Sequence, residues 1–417
     1  MDGPVSRRDT LRLGVGVGVG ATTLGLGPIT GTGRAATDGV TVATRNCFLG
    51  ADLVRLLAAA ADGPDAVSEA AGDLLATVDR SHVEARLDAV AAELARTEPD
   101  LVGIQEAALI RTGPAGGEAA DVRYDFRETL LSKLAARNQP YHVVAATVGA
   151  DFQVPATVAG ETRTVRLTDR DLLLARESVS TAEATAGTFD ASLSLSRDDG
   201  SISVDRGYAV CEATVGEDRL TFCTTHLESA SAQTRTTQAA ELQSLLADRP
   251  DPTVLVGDLN SGPGASTAAY ARLTDAFDDA ADDAGDTCCH AADLRNADPS
   301  LASRIDHVLV RGDLRASDAR RVGAEPAARI SAGGDRLWPS DHAGVVVTLV
   351  PGTTTMTPTP TPTTATETEA EPGTPTRTTT TAAPTADTPT AGTAPGFGVV
   401  AAVAALLGGA LAARDDD

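Results

Sequence analysis

The sequence predicts a mixed α/β domain with more than one sheet, spanning residues 37–350. Two observations carry this expectation. Apolar strand-like runs alternate with helical patterns in the first part of the chain, while the middle, "YAVCEATVGEDRLTFCTTH", reads as two strands about a Gly-Glu-Asp turn. Polar residues close the strands across the whole span, which favours one domain over two, and no repeat of fixed period is visible.

Taken in order, "GVTVATRN" begins as a strand and stops at Asn46. In "SHVEARLDAVAAELARTEP", Val83, Leu87, Val90, Ala91 and Leu94 form one apolar stripe, Ser81 and Glu84 have the spacing of a capping box, and Pro99 stops the helix. "PDLVGIQE" is an apolar strand ending in Glu106, "DFRETLLSKLAARN" an amphipathic helix, "YHVVAAT" a strand and "RDLLLAR" a short strand. The central hairpin ends in "TTHLES", with His226 at the strand terminus. "TRTTQAAELQSLLADRP" is a helix that can bury Leu242, Leu245 and Leu246. "TVLVGDLNSGP" is a strand that finishes in Asp258 and Asn260, two residues apart and so on one face of an extended chain. "SRIDHVLVRG" and "PSDHAGVVVTLV" supply two more strands, one containing Asp306 and the other entered by Asp341 and His342.

The termini read differently. Arg7 and Arg8 precede an apolar, glycine-rich run ending near "GRAAT", which resembles a twin-arginine (Tat) export signal over residues 1–36, cleaved after Ala35 or Ala36. Residues 351–395 are rich in Thr and Pro and nearly free of large apolar side chains, so no core can form there; an extended stalk is expected. The last segment, 396–417, is an apolar run followed by "RDDD", and with the stalk and "PGF" it resembles the PGF-CTERM surface-sorting signal of haloarchaea. These resemblances imply export and sorting machinery as partners, and a chain anchored at the cell surface through its C-terminus.

The formal net charge of the 417 residues is −24, and Lys occurs once, at Lys133, a balance that resembles proteins of extreme halophiles. Acidity normally argues against a nucleic-acid partner. In molar salt the screening length falls to about 3 Å, and that argument loses its force. The five cysteines, an odd count, exclude a complete set of internal disulfides. A hairpin centred on Glu217 would set Cys211 opposite Cys223, as a cross-strand disulfide or, the favoured reading, two small buried thiols. "CCH" at Cys288 to His290 has the residue types of a metal cluster, but adjacent ligands without a second pair make a poor zinc site.

Asn46, Glu106, His226, Asp258, Asn260, Asp306, Asp341 and His342 all lie at or near strand boundaries, where a rigid sheet can present reactive groups to one cleft. Oxygen donors without a cysteine set suit a hard cation such as Mg²⁺ or Mn²⁺, and histidines beside carboxylates suit an anionic transition state. The chain has no GxSxG elbow, GxxxxGK[ST] loop or HExxH helix, which disfavours serine hydrolases, P-loop NTPases and zinc peptidases.

"PDLVGIQE", "TTHLES", "VGDLNSGP", "RIDHVLV" and "PSDHAGVVV" occur in the order and at roughly the spacing of the endonuclease/exonuclease/phosphatase superfamily, and the resemblance spans about Val40 to Val350. It implies a DNase I-like, four-layered α/β sandwich of two packed mixed sheets flanked by helices. It also implies metal-assisted hydrolysis of a phosphate ester by direct attack of water. By matching motif, Glu106 would bind the metal with Asn46 and Asp341 close by. Asp258 would orient or deprotonate the water, and Asn260 would hold the phosphate or the nucleophile. His226 and His342 would donate to the phosphoryl oxygens, with Asp306 fixing the ring of His342. "LGADL" and "DRD" resemble signatures of a secreted bacterial and archaeal branch; there Asp171 would bind substrate or orient a histidine, and Arg170 would meet a phosphate or form a salt bridge. A monomer hydrolysing phosphodiester or phosphomonoester bonds is expected, with extracellular nucleic acid one candidate substrate; the alternatives are a phospholipase C- or sphingomyelinase-like enzyme or a small-phosphoester phosphatase. A silent, surface-displayed binding module is the reading from another class, and it predicts loss of a central residue.

Overall fold

The first sheet takes its shape from strands that are apolar on both faces. In the strand Glu161–Arg176, Leu172 and Leu174 join one core cluster while Leu173 and Ala175 join another. Successive side chains of a strand point to opposite sides, so this run must be covered twice. The same division holds for Val345 and Val347 against Val346, and for Val254 and Val256 against Leu255. Each sheet is therefore sandwiched.

The computed structural model describes residues 39–352, apart from 51–52, 198–199 and 265. The twin-arginine segment and nearly all of the stalk and apolar tail lie outside the described residues. The first sheet runs in the order Leu314–Val322, Gly344–Pro351, Val40–Asn46, Leu101–Gln105, Glu161–Arg176, Leu109–Pro114 and Asp121–Asp125, with Tyr141–Val158 also paired to Glu161–Arg176. The second runs Asp278–Asp279, Asp306–Arg311, Thr253–Asp258, Asp218–His226, Gly207–Val215 and Ser180–Thr188. Each is mixed: Val40–Asn46 is parallel to Leu101–Gln105, and Asp218–His226 is parallel to Thr253–Asp258, within otherwise antiparallel pairings. The helices Pro64–Arg80, Val83–Thr97 and Phe126–Ala135 cover the outside of the first sheet; Ala232–Ala247 and Thr267–Thr274 cover the second. The result is four layers, helix, sheet, sheet and helix, as expected.

Close contact between the sheets depends on Gly103. A Cβ there would lie 2.3 Å from Thr224 Oγ1 and 2.7 Å from Val256 Cγ2 of the facing sheet. Just above it Gln105 crosses the gap, accepting from Thr44 Oγ1 at 3.0 Å and donating to Thr224 Oγ1 at 3.1 Å. These bonds keep the amide satisfied in an interior where an unpaired polar group would cost about 1–3 kcal/mol.

Three expectations need correction. Ser81 and Glu84 form no capping box: His82 occupies the N-cap in a left-handed conformation, and the Ser81 hydroxyl donates instead to Val78 O. The central hairpin closes on a tighter turn, so Cys211 faces Phe222 and Val210 faces Cys223. That shift of one residue sends the two cysteines to opposite faces of the sheet, and both are free, buried thiols. The strands read as "YHVVAAT" and "RDLLLAR" are the inner ends of one long hairpin, Tyr141–Val158 with Glu161–Arg176, whose outer half packs against Pro64–Arg80.

Candidate active site

The strand register assembles the site. In the second sheet His226 pairs with Asp258, and Asp258 with Asp306, so three polar residues stand side by side across neighbouring strands. In the first sheet Asn46 pairs with Gln105, which places Glu106 one residue beyond. Gly257 lets Asp258 approach: its φ is +150°, and a Cβ there would lie 2.0 Å from Thr225 O. The two rows meet where the strands end together at one edge of the sandwich.

Asp258 is the centre. Its Oδ2 lies 3.1 Å from Asn46 Nδ2, 3.6 Å from His226 Nε2 and 3.8 Å from His342 Nε2, while Oδ1 accepts from the Asn260 backbone N–H at 2.8 Å. Burial and the negative charge of Asp306 raise its pKa, against the two imidazoles and the Asn260 amide. A carboxylate raised in this way is a better base than an exposed one. Asn260 also donates its side-chain amide to Leu227 O at 2.9 Å, so it braces the loop after His226 to the loop after Asp258. Asp306 Oδ2 sits 2.8 Å from His342 Nδ1. Burial alone would lower the His342 pKa, but Asp306, Asp258 and Asp341 raise it well above the ordinary value.

Glu106 anchors the other side. Its φ is +56°, a backbone conformation that costs a non-glycine residue on the order of 1–3 kcal/mol and occurs preferentially at functional sites. Leu49 N–H donates to Oε2 at 2.7 Å and Asn46 Nδ2 to Oε1 at 3.1 Å, so Asn46 bridges Glu106 and Asp258. Burial works against ionisation of Glu106, but His226, the Leu49 amide and His342 hold its pKa below the ordinary value. Asp341 is pushed up to about 7 by burial, with Glu106 and Asp258 adding to the effect and His342 and Arg86 opposing it.

These groups fit a hard divalent cation. Glu106, Asp258 and Asp341 repel one another in a buried setting, and their donors are oxygens, so a dication would relieve the repulsion. Asp258, Asp306 and His342 also bring one ligand atom each to within 4.8 Å of one another. The 2.8 Å carboxylate–imidazole bond inside that trio leaves Glu106, Asn46 and Asp341 as the better cradle.

His226 has different surroundings. Nδ1 lies 2.9 Å from Arg206 Nη1 and 3.6 Å from Asp171 Oδ1. Asp171 Oδ1 also accepts from the Glu106 backbone N–H at 3.3 Å, linking the metal side to this imidazole. Burial and Arg206 lower the His226 pKa, but Asp171 and Asp258 outweigh them and raise it. Arg170, the strand neighbour of Asp171, faces the other way. It donates to the carbonyls of Ala107 and Ala108 and pairs with Asp125 at 2.6 Å, so of its two expected roles the salt bridge is formed, buried rather than at the surface.

Sequence reading missed three arginines. Arg206 lies between His226, Asp169 at 3.5 Å and Glu228 at 3.8 Å. Arg45 pairs with Glu93 at 3.0 Å and donates to the carbonyls of Asn46 and His342. Arg86 donates to the carbonyls of Cys47, Phe48, Ser81 and Pro339, which fixes both loops that carry the site, and burial lowers its pKa to about 10. One clue was present for Arg86: it lies on the apolar stripe of its helix, three residues after Val83 and one before Leu87. Arg45 is half visible, as a charge within an otherwise buried strand.

Residues 72–342 match the model of a family described as Endonuclease/Exonuclease/phosphatase family. No curated protein sequence matches the chain. Among solved structures it is similar to a humanised TDP2 of D. rerio, with 16% identity, TM-score 0.44, and 75% of this chain and 99% of that one covered. It is also similar to a Bacteroides thetaiotaomicron endonuclease/exonuclease/phosphatase family protein, with 14% identity, TM-score 0.46 and coverage of 75% and 97%. A mannosyl-6-phosphatase of Bacteroides thetaiotaomicron VPI-5482 aligns with 16% identity, TM-score 0.45 and coverage of 75% and 99%.

Proposed function

The chain belongs to the endonuclease/exonuclease/phosphatase family, and from that premise we propose that it is a divalent-metal-dependent phosphoesterase that hydrolyses a phosphate ester by direct attack of water. The observation that carries this reading is the position of Asp258, whose one oxygen faces Asn46 and two imidazole Nε2 atoms within 3.8 Å. None of the central residues is missing, which argues against a silent binding module.

In this reading Glu106, Asn46 and Asp341 hold Mg²⁺ or Mn²⁺. When bound, the ion would supply Lewis-acid polarisation of a phosphoryl oxygen. Asp258 receives a proton from the attacking water, its Oδ1 fixed by the Asn260 amide. His342, held by Asp306, and His226, held between Arg206 and Asp171, direct Nε2 toward the same centre and stabilise the charge that develops there. Asn260 contributes by positioning, and any contact to the phosphate comes from the rest of its amide. We place the enzyme outside the cell, at the surface, on the strength of the twin-arginine and tail sequences; a fractionated culture with the protein confined to the cytosol would refute that.

The test is a panel assay in molar salt with Mg²⁺ or Mn²⁺, on duplex DNA, RNA, phospholipid vesicles and bis-nitrophenyl phosphate. At least one ester should be hydrolysed, and chelation should abolish turnover. Activity that survives chelation, or no activity on any ester, refutes the reading.

A further inference from the structure

Asp306 and His342 stand on different sheets. Asp306 opens the strand Asp306–Arg311 of the second sheet, and His342 lies two residues before Gly344–Pro351 of the first. Their 2.8 Å bond therefore crosses from one sheet to the other, and the ladder register of neither sheet fixes its length. Asp306 spends Oδ2 on that bond, while Oδ1 is buried without a hydrogen-bond partner among the described residues. The carboxylate thus depends on its own backbone for its aim.

The segment 287–290, which ends in the "CCH" stretch that the proposed function does not absorb, spans this gap with its backbone. On the side of Asp306, Thr287 and Cys288 N–H donate to Ser303 O, both at 2.8 Å, and Ser303 N–H donates to Cys288 O at 2.9 Å. On the side of His342, His290 N–H donates to Asp341 O and Ala343 N–H to Thr287 O, both at 2.8 Å. Thr287 takes part on both sides. Its carbonyl holds Ala343, and its Oγ1 accepts the backbone N–H of Ile305 and of Asp306 itself, each at 3.1 Å. The residue is fully buried, so removing the hydroxyl leaves two interior amides without a partner. Every other bond of this strap named here is made by backbone alone; the hydroxyl is the part a substitution can remove.

We propose that Thr287 is a positioning residue for the hydrolysis: its hydroxyl fixes the backbone of Asp306, its carbonyl fixes the residue after His342, and the pair is thereby held so that Nε2 of His342 points at the reacting centre. This rests on the phosphoesterase reading. Thr287 touches neither the reacting atoms nor the imidazole, and acts through Asp306. The leverage is real because a misplacement of ~1 Å by a change remote from the chemistry can cost ~10²-fold in rate.

Three variants of the full-length protein separate this role from a structural one. Thr287→Val keeps the shape and loses the hydroxyl, Thr287→Ser keeps the hydroxyl and loses a methyl group, and Thr287→Ala leaves space for a water at the two amides. Each is assayed with Mg²⁺ in molar salt, below its thermal transition, on a panel ester that wild type hydrolyses. The Nδ1 proton of His342, which Asp306 accepts, is observed by NMR at the same time. Thr287→Val should lower kcat by about tenfold with KM unchanged and move that resonance upfield, and Thr287→Ser should recover most of both. Added to Asp306→Asn, Thr287→Val should change kcat by less than about twofold, because the charged bond it holds is already gone. Wild-type kcat or a wild-type resonance in Thr287→Val, a serine variant as impaired as the valine one, or losses that multiply in the double variant overturns the proposal. Where Thr287→Val does not fold, Thr287→Ala is judged by the same outcomes; failure of both to fold makes the hydroxyl structural and overturns it too. Wild type inactive on every ester instead refutes the phosphoesterase reading, and the His342 resonance still decides whether Thr287 holds the pair.

Discussion

The two imidazoles that flank Asp258 present nearly equal distances to it and opposite surroundings behind. His342 has a carboxylate at its back, Asp306 at 2.8 Å. His226 has a guanidinium there, Arg206 at 2.9 Å, with Asp171 further off at 3.6 Å. A carboxylate behind the ring favours the charged imidazole, and a guanidinium disfavours it. The pKa of His342 accordingly rises well above the ordinary value, whereas His226 is raised only against the opposition of Arg206. When His226 gives up a proton, it loses the one on Nδ1, because Arg206 can only donate there, and Nε2–H stays pointed at the site. One ring is built to remain a cation, the other to remain an oriented donor.

Removing the group both rings share gives the largest effect. Asp258→Asn should lower kcat by ~10²–10⁴-fold with an unchanged thermal transition, the range expected for losing a general base. A variant that keeps full rate on every active ester would show that the imidazoles do not converge on a base.

Asp306→Asn removes the charge behind His342 and, with it, part of what raises the pKa of Asp258. We expect a loss of roughly tenfold to a hundredfold in turnover, as for other residues that orient a functional histidine. The sign of the pH effect follows from the raised pKa: the charged imidazole is present below its folded-state value and lost above it, so the alkaline limb of the pH–rate profile should move to lower pH. By the same linkage, His342 stabilises the fold at acid and neutral pH and ceases to as pH rises through that value; Asp306→Asn should shift this loss downward in pH-dependent melting.

Arg206→Gln sharpens the contrast, because its sign is reversed. Without the guanidinium the His226 pKa should rise further, visible as an upward shift in its ring-proton NMR titration, with a smaller loss of turnover than Asp306→Asn. Stability should fall by about 3–5 kcal/mol, since buried Glu228 and Asp169 lose their partner. A downward shift of the titration would mean that Arg206 does not face the ring in solution. Arg170→Gln should change kcat and KM least. It should cost about 1–3 kcal/mol of stability, by leaving the Ala107 carbonyl unpaired, and an increase in KM without that cost would favour the phosphate contact over the salt bridge as its role.

A mixed α/β domain with more than one sheet, and most of the strand-end residues, were legible because both are written locally, whereas the four layers were implied by the family resemblance. An unbroken apolar run such as Leu172 to Ala175 puts apolar side chains on both faces of its strand, and a polar residue closing an apolar run is visible wherever it occurs. Arg206 was not, because nothing adjacent in sequence distinguishes a buried guanidinium from a solvated one; Arg45 and Arg86 left only a faint sign, a charge within an apolar strand or stripe. Cys211 and Cys223 are the buried thiols expected, but the register that set them opposite each other failed for a related reason: one residue more or less in a turn moves every side chain of the strand to the other face, and local sequence leaves that register open.

By itself, then, the sequence determined the main helices, several strands and the central hairpin, and which chemical groups stand at strand ends, since these follow from backbone periodicity and residue type. Only the tertiary structure decided which imidazole meets Asp306 and which meets Arg206, that Arg170 turns away from its neighbour Asp171, and that the backbone of Cys288 bridges to His342. Those outcomes depend on contacts between residues tens to hundreds of positions apart, and contact across that separation is set by how the two sheets pack.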